Sequence, residues 1–125
     1  MNEALKSYLE HWRTAMQWRR WADKELEPLG FTLIGWLVLD ATVALIRKHE
    51  DAVSQKLVCD RTHLDKATVS RLMQQLEQKG YVDRAPEFEG PANRVRVTDK
   101  GVIAAAQCRA QLAARCLEAT RRSQR

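Results

Sequence analysis

The side chains in this sequence whose types and spacing can do chemistry lie between Asp65 and Lys79. Wound at 3.6 residues per turn, that run places Val69, Leu72, Met73 and Leu76 on one side and Ala67, Ser70, Arg71, Gln74, Gln75 and Gln78 on the other. The second face holds almost nothing acidic, whereas ordinary exposed helices mix glutamate with lysine. A guanidinium can donate two parallel hydrogen bonds to guanine, and a carboxamide can pair with adenine. Arg71 and Gln74 are therefore candidates for base edges, with Gln75 beside them, and Ser70 for a base or a phosphate. Lys66 and Thr68 stand in the first turn, where unpaired N–H groups and the helix dipole favour a phosphate. The chemistry implied is recognition of double-stranded DNA rather than catalysis.

Such a helix needs a frame. Residues 3–26 carry Leu5, Tyr8, Leu9, Trp12, Ala15, Met16, Ala22 and Leu26 in a stripe at helical spacing, with Trp18 and Trp21 off it. A helix with bulky apolar groups on two sides calls for two partners, one of them a second subunit. After the break at Pro28-Leu29-Gly30, Thr32 can cap a helix reaching about residue 48 that is apolar nearly all round and belongs in the middle of the fold. Ser54 can cap a short helix over 55–60, Asp65 caps the 65–79 helix, and Gly80 ends it where a left-handed residue is favoured. Residues 81–84 and 93–97 read as strands around a hairpin loop containing Pro86, Glu87, Glu89 and Pro91. From Thr98-Asp99 a last helix presents Val102, Ile103, Ala106, Ala110, Ala113, Cys116 and Leu117 as a stripe of mostly small residues that another helix can approach closely.

The expected fold is mainly α with a small β-hairpin wing, a winged helix-turn-helix in the order α-α-α-α-β-β-α, forming one domain over 1–125. Within it, 52–98 is the DNA-binding unit, and 3–30 and 98–122 are dimerisation segments. Leu5, Leu9, Trp12, Trp18, Trp21, Ile103, Ala106, Ala110, Ala113 and Leu117 are the candidate dimer residues. Ser54 and Gln55, at the start of the bracing helix, and Arg84, Arg94 and Arg96, on the hairpin, complete the candidate DNA contacts.

Composition narrows the class. Lys and Arg number 21 against 16 Asp and Glu, a net charge of +5 that mildly favours polyanionic partners. Cys59, Cys108 and Cys116 contain no CxxC pair, and His11, His49 and His63 are scattered, so no metal and no cofactor are expected. No apolar run is long enough to cross a bilayer and no signal-peptide core follows Met1, which points to a cytoplasmic protein. There is no Gly-rich phosphate loop, no helical His-Glu-x-x-His and no nucleophile motif, so an enzyme is not expected.

The combination of Pro28-Leu29-Gly30-Phe31-Thr32, Trp36-Leu37-Val38-Leu39, Leu64-Asp65-Lys66-Ala67-Thr68-Val69-Ser70-Arg71, Leu76-Glu77-Gln78-Lys79-Gly80-Tyr81-Val82 and Val95-Arg96-Val97-Thr98-Asp99-Lys100-Gly101 resembles the MarR family of bacterial transcriptional regulators. The resemblance implies a homodimer held by its first and last helices, with the Asp65 helix in the major groove, the hairpin as wing, and a small aromatic effector between the first two helices. The expected activity is that of a repressor on a pseudo-palindromic operator. Three places depart from the family pattern. Glu89 and Pro91 stand where its wing often has Asp-x-Arg, which leaves that role vacant or moves it to Arg94. The region after Thr98 has room for one long helix instead of two. Cys59 and Thr62 replace the alanine and leucine favoured in the bracing helix.

Arg19 lies in the apolar stripe of the first helix with Asp23 four residues on. The pair reads as an ordinary i to i+4 ion pair, or, with Trp36, as the edge of a pocket for an anionic effector. Cys59 reads as a packed thiol, with oxidation sensing as the sharper alternative. A winged-helix protein-interaction module without DNA binding is the competing function. Against it stands the polar Ser-Arg-Gln face, since protein-binding faces more often expose aromatic or aliphatic anchors.

Overall fold

A computed structural model describes residues 2–85 and 94–123, leaving out the side chains of 119, 120, 122 and 123. Its elements are α1 (Glu3–Leu26), a single 3-10 turn (Glu27–Leu29), α2 (Leu33–His49), β1 (Val53–Ser54), α3 (Gln55–Thr62), α4 (Lys66–Gln78), β2 (Val82–Arg84), β3 (Arg94–Val97) and α5 (Asp99–Ser123). The helix starts follow from local chemistry. Asn2, Thr32, Ser54 and Asp65 each hold an extended backbone and accept a first-turn N–H, which satisfies donors that a helix cannot pair internally. The Thr98 hydroxyl accepts the Gly101 N–H at 3.1 Å and plays the same part for α5.

α2 occupies the centre, with nine buried residues, among them Trp36, Val38, Leu39, Val43 and Leu45. Around it pack Val58 of α3, Val69, Leu72, Met73 and Leu76 of α4, Val82 and Val95 of the sheet, and Ala104, Ala105, Cys108 and Leu112 of α5. The expected two-stranded wing is instead a three-stranded antiparallel sheet in the order β1-β3-β2, with Val53 opposite Val95 and Val82 opposite Val97. β1 is two residues long, too short to show a period, so the sequence disclosed only the helix cap at Ser54. Among the described residues no single helix is long and apolar enough to cross a membrane.

α1 joins this body only by its C-terminal third. Ala22 and Leu26 are buried and Trp21 is half-buried against the core, while residues 3–20 are exposed apart from the half-buried Met16. Trp21, expected to face a second subunit, thus packs against its own chain. Asp23 does not pair with Arg19. Its carboxylate accepts the Leu33 N–H at 2.7 Å, fixing the start of α2 beneath the end of α1.

Candidate nucleic-acid interface

α4 presents the polar face that its sequence describes. Its four core residues are buried, Ala67, Arg71, Gln74, Gln75 and Gln78 are exposed, and Ser70 is half-buried. Neither an ion pair nor a side-chain hydrogen bond engages Arg71 among the described residues, and Lys66, in the first turn, is exposed as well. Gln75 also lines a crevice of about 80 Å³ with Gly30, Phe31, Thr32, Gly35, Leu72, Leu76 and Lys79. The turn from α3 to α4 is closed by His63 in the left-handed conformation (φ +60°), whose N–H donates to the Cys59 carbonyl.

The first turn of α4 differs from expectation. The Thr68 hydroxyl donates to Asp65 Oδ1 at 2.6 Å and the Thr68 N–H donates to Asp65 Oδ2 at 3.1 Å. Both donors of Thr68 are therefore committed, and an anionic carboxylate occupies the end of the helix where a phosphate was expected. These bonds, the hydroxyl's foremost, hold the Asp65 carboxyl below its ordinary pKa. A lowered folded pKa adds stability that is present above the unfolded value and is lost as pH falls through the folded one. The stability gap between the wild type and Asp65→Ala, followed by thermal melts from neutral to acid pH, should therefore shrink as the carboxylate protonates. A constant gap would contradict the cap.

The remaining candidates divide. Ser54 caps α3 by accepting the Leu57 N–H at 3.4 Å. Gln55 is only 8% exposed, since it points inward from the first turn of α3, and this corrects its assignment as a DNA contact. Arg94 is half-buried, and its Nη1 donates to the Ala52 carbonyl at 3.3 Å, which ties β3 to the segment before α3. Arg84 pairs with Glu77 of α4 at 3.0 Å and Arg96 with Asp51 at 3.8 Å, all four half-exposed. Half-exposed pairs of this kind contribute about 0–1 kcal/mol, so they orient these arginines more than they lock them. Glu89 and Pro91, the wing positions that depart from the family, lie outside the described residues.

Arg19 and Trp36 do not meet in one pocket. Arg19 is exposed on α1, whereas Trp36 is buried and its indole N–H donates to the Ala105 carbonyl at 3.0 Å. Cys59 is half-buried, and burial, followed by the charges of Asp60 and Asp65, raises its pKa and opposes the reactive thiolate. Burial pushes Cys108 up to about 11, while Cys116 is exposed. The remaining sequence-assigned positions are exposed apolar ones: Leu5, Leu9, Trp12 and Trp18 on α1, and Ile103, Ala106, Ala110, Ala113 and Leu117 on α5.

A bracing helix, a turn, a capped helix with a polar outer face and an antiparallel wing define a winged helix-turn-helix protein. Residues 29–88 match the MarR family model, and no curated protein matches the chain. The chain has a winged helix-turn-helix fold, and its residues 29–88 are similar to the MarR family. Solved structures carry the same fold. A MarR-family transcriptional regulator from a Rhodococcus species is similar at TM-score 0.76 and 20% identity, over 91% of this chain and 78% of that one. The S. aureus MepR–DNA complex is similar at TM-score 0.73 and 22% identity, over 95% and 82%. The M. tuberculosis transcriptional regulator MOSR in complex with DNA follows at TM-score 0.70 and 19% identity, over 96% and 81%.

Proposed function

We propose that this protein is a dimeric, sequence-specific DNA-binding regulator that represses transcription by occluding a promoter. The observation that carries the reading is the outward face of α4, where Arg71 is exposed and unpaired among the described residues, between Ser70 and Gln74. Paired cations hold a helix in place; an unpaired one on a face of hydroxyl and carboxamide groups is available to a ligand. The fold is shared with MepR and MOSR, both solved with DNA, which supports the same class of partner here.

Dimerisation is supported by apolar surface that one chain does not cover. Trp12 is 63% exposed, Ile103 58%, Leu117 54% and Leu5 50%, on α1 and α5. A second copy would bury these against its own α1 and α5, with the alanines of α5 allowing close approach. Two readers related by a twofold axis would engage a pseudo-palindrome with half-sites about one helical turn, or roughly 10 base pairs, apart.

The test is a salt titration on the DNA upstream of the protein's own gene against a scrambled duplex of equal length, with a Ser70→Ala, Arg71→Ala, Gln74→Ala triple variant alongside. Wild type should prefer the upstream DNA and weaken steeply with salt as counterions are released, and the variant should lose the preference. Failure to bind either duplex at low salt would reject the reading in favour of a protein-interaction module.

A further inference from the structure

We infer that Lys100 is a positioning residue that fixes the recognition helix α4 to α5 and so sets which half-site spacing the dimer accepts. The inference rests on the DNA-binding dimer proposed above. It starts from the C-terminal end of α4, where a helix leaves carbonyl groups without internal partners. The Lys79 carbonyl is one of these, and it accepts a hydrogen bond at 2.7 Å from the ammonium of Lys100, in the first turn of α5. A cation there also complements the negative end of the helix dipole. The same ammonium lies 4.8 Å from the centre of the Tyr81 ring, and that ring packs 5.1 Å from Phe31, just before α2.

The neighbouring backbone is joined as closely. The Thr98 hydroxyl donates to the Gly80 carbonyl at 2.7 Å, and the Thr98 N–H donates to the Tyr81 carbonyl at 3.1 Å. Further along, α5 is riveted to α2 by two residues spaced four apart on each helix. Trp36 donates to the Ala105 carbonyl, and Arg109 lies over the Trp36 ring at 5.6 Å while pairing with Asp40. α5 therefore moves as one body with the core that carries the reader, and Lys100 ties the free end of α4 into that body. An apolar side chain of similar length at position 100 would leave α4 seated on its buried leucines but release its far end. The reader would keep its base contacts and lose its fixed angle to α5, the helix through which a second copy would set the distance between readers.

The experiment measures affinity for the preferred operator and for operators with one base pair added or removed between half-sites, and for one carrying a substituted base pair within a half-site. Wild type, Lys100→Met and Lys100→Arg are compared at matched folded fraction. Lys100→Met is expected to narrow the ratio between the best and altered spacings by about threefold to fivefold, the worth of one exposed charged contact. The penalty for the substituted base pair should stay unchanged, and Lys100→Arg, which retains a donor and a charge, should restore the spacing ratio.

An unchanged spacing ratio in Lys100→Met overturns the assignment. So does a uniform loss of affinity on every operator, which would make Lys100 a stabilising residue only. Wild type that binds but shows no spacing dependence also overturns it while leaving DNA binding intact, and wild type that binds no operator rejects the functional reading itself.

Discussion

Gly101→Ala is expected to destabilise the protein by about 3 kcal/mol and lower its melting temperature by on the order of 10 °C. A Cβ built on Gly101 would stand 2.1 Å from the Tyr81 carbonyl oxygen, 2.7 Å from Val97 Cγ1 and 3.0 Å from the Tyr81 carbonyl carbon. Two of these three atoms are backbone and cannot rotate away. The Tyr81 carbonyl is also held in place by the Thr98 N–H and closely approached by the Thr98 hydroxyl, so relief requires α5 to lift from the start of β2. The sign distinguishes this from helix propensity. Alanine is the better helix former by up to about 1 kcal/mol, so propensity alone predicts that the variant melts higher. Thermal melts of wild type and Gly101→Ala decide it, and a variant that melts at or above the wild type would refute the close packing of α5 on the Tyr81 turn.

That contact was invisible in the sequence, where Gly101 was one residue of a motif with no stated role. The reasons why some features were legible and others not are physical. α4 could be read because its pattern is local: Asp65 caps it, Gly80 (φ +81°) ends it, and four apolar residues define its buried side. α2 was legible because a helix apolar nearly all round has one stable place, the centre. The rest is not legible because a side chain's partner there lies far away in sequence. Gln55 is polar and near a helix start, but the packing around α3 turns it inward. Arg94 alternates correctly for a strand, and its partner is the carbonyl of Ala52, 42 residues earlier. Asp23 has Arg19 at the right helical spacing and spends its carboxylate on the N–H of Leu33 instead. α5 has a further ambiguity, because alanine permits contact on any face. The stripe read from its sequence contains the exposed Ile103, Ala106, Ala110 and Ala113, while its own core contact runs along Ala104, Ala105, Cys108 and Leu112.

Arg71→Ala should cost about 1–3 kcal/mol of binding free energy on the preferred operator, roughly a fivefold to 150-fold loss of affinity. Three cations near the reader provide the comparison. Arg84 and Arg96 already have carboxylates at 3.0 and 3.8 Å, and Arg94 donates to a carbonyl, so each would have to exchange existing contacts to reach DNA. Arg71 exchanges only water for its ligand, and its removal leaves no partner carboxylate exposed to confuse the result. If Arg71 donates to a base edge, the loss is concentrated at one position in each half-site: the variant tolerates any base there, and its affinities for the preferred and the substituted operator converge. If it holds a phosphate, affinity falls by a similar factor on every sequence and the slope of log affinity against log salt shrinks by about one per removed contact in each subunit. Measuring the variant on the preferred and substituted operators at two salt concentrations separates these outcomes. Equal affinity of wild type and variant throughout would remove Arg71 from the interface and, with it, the central cation of the α4 face.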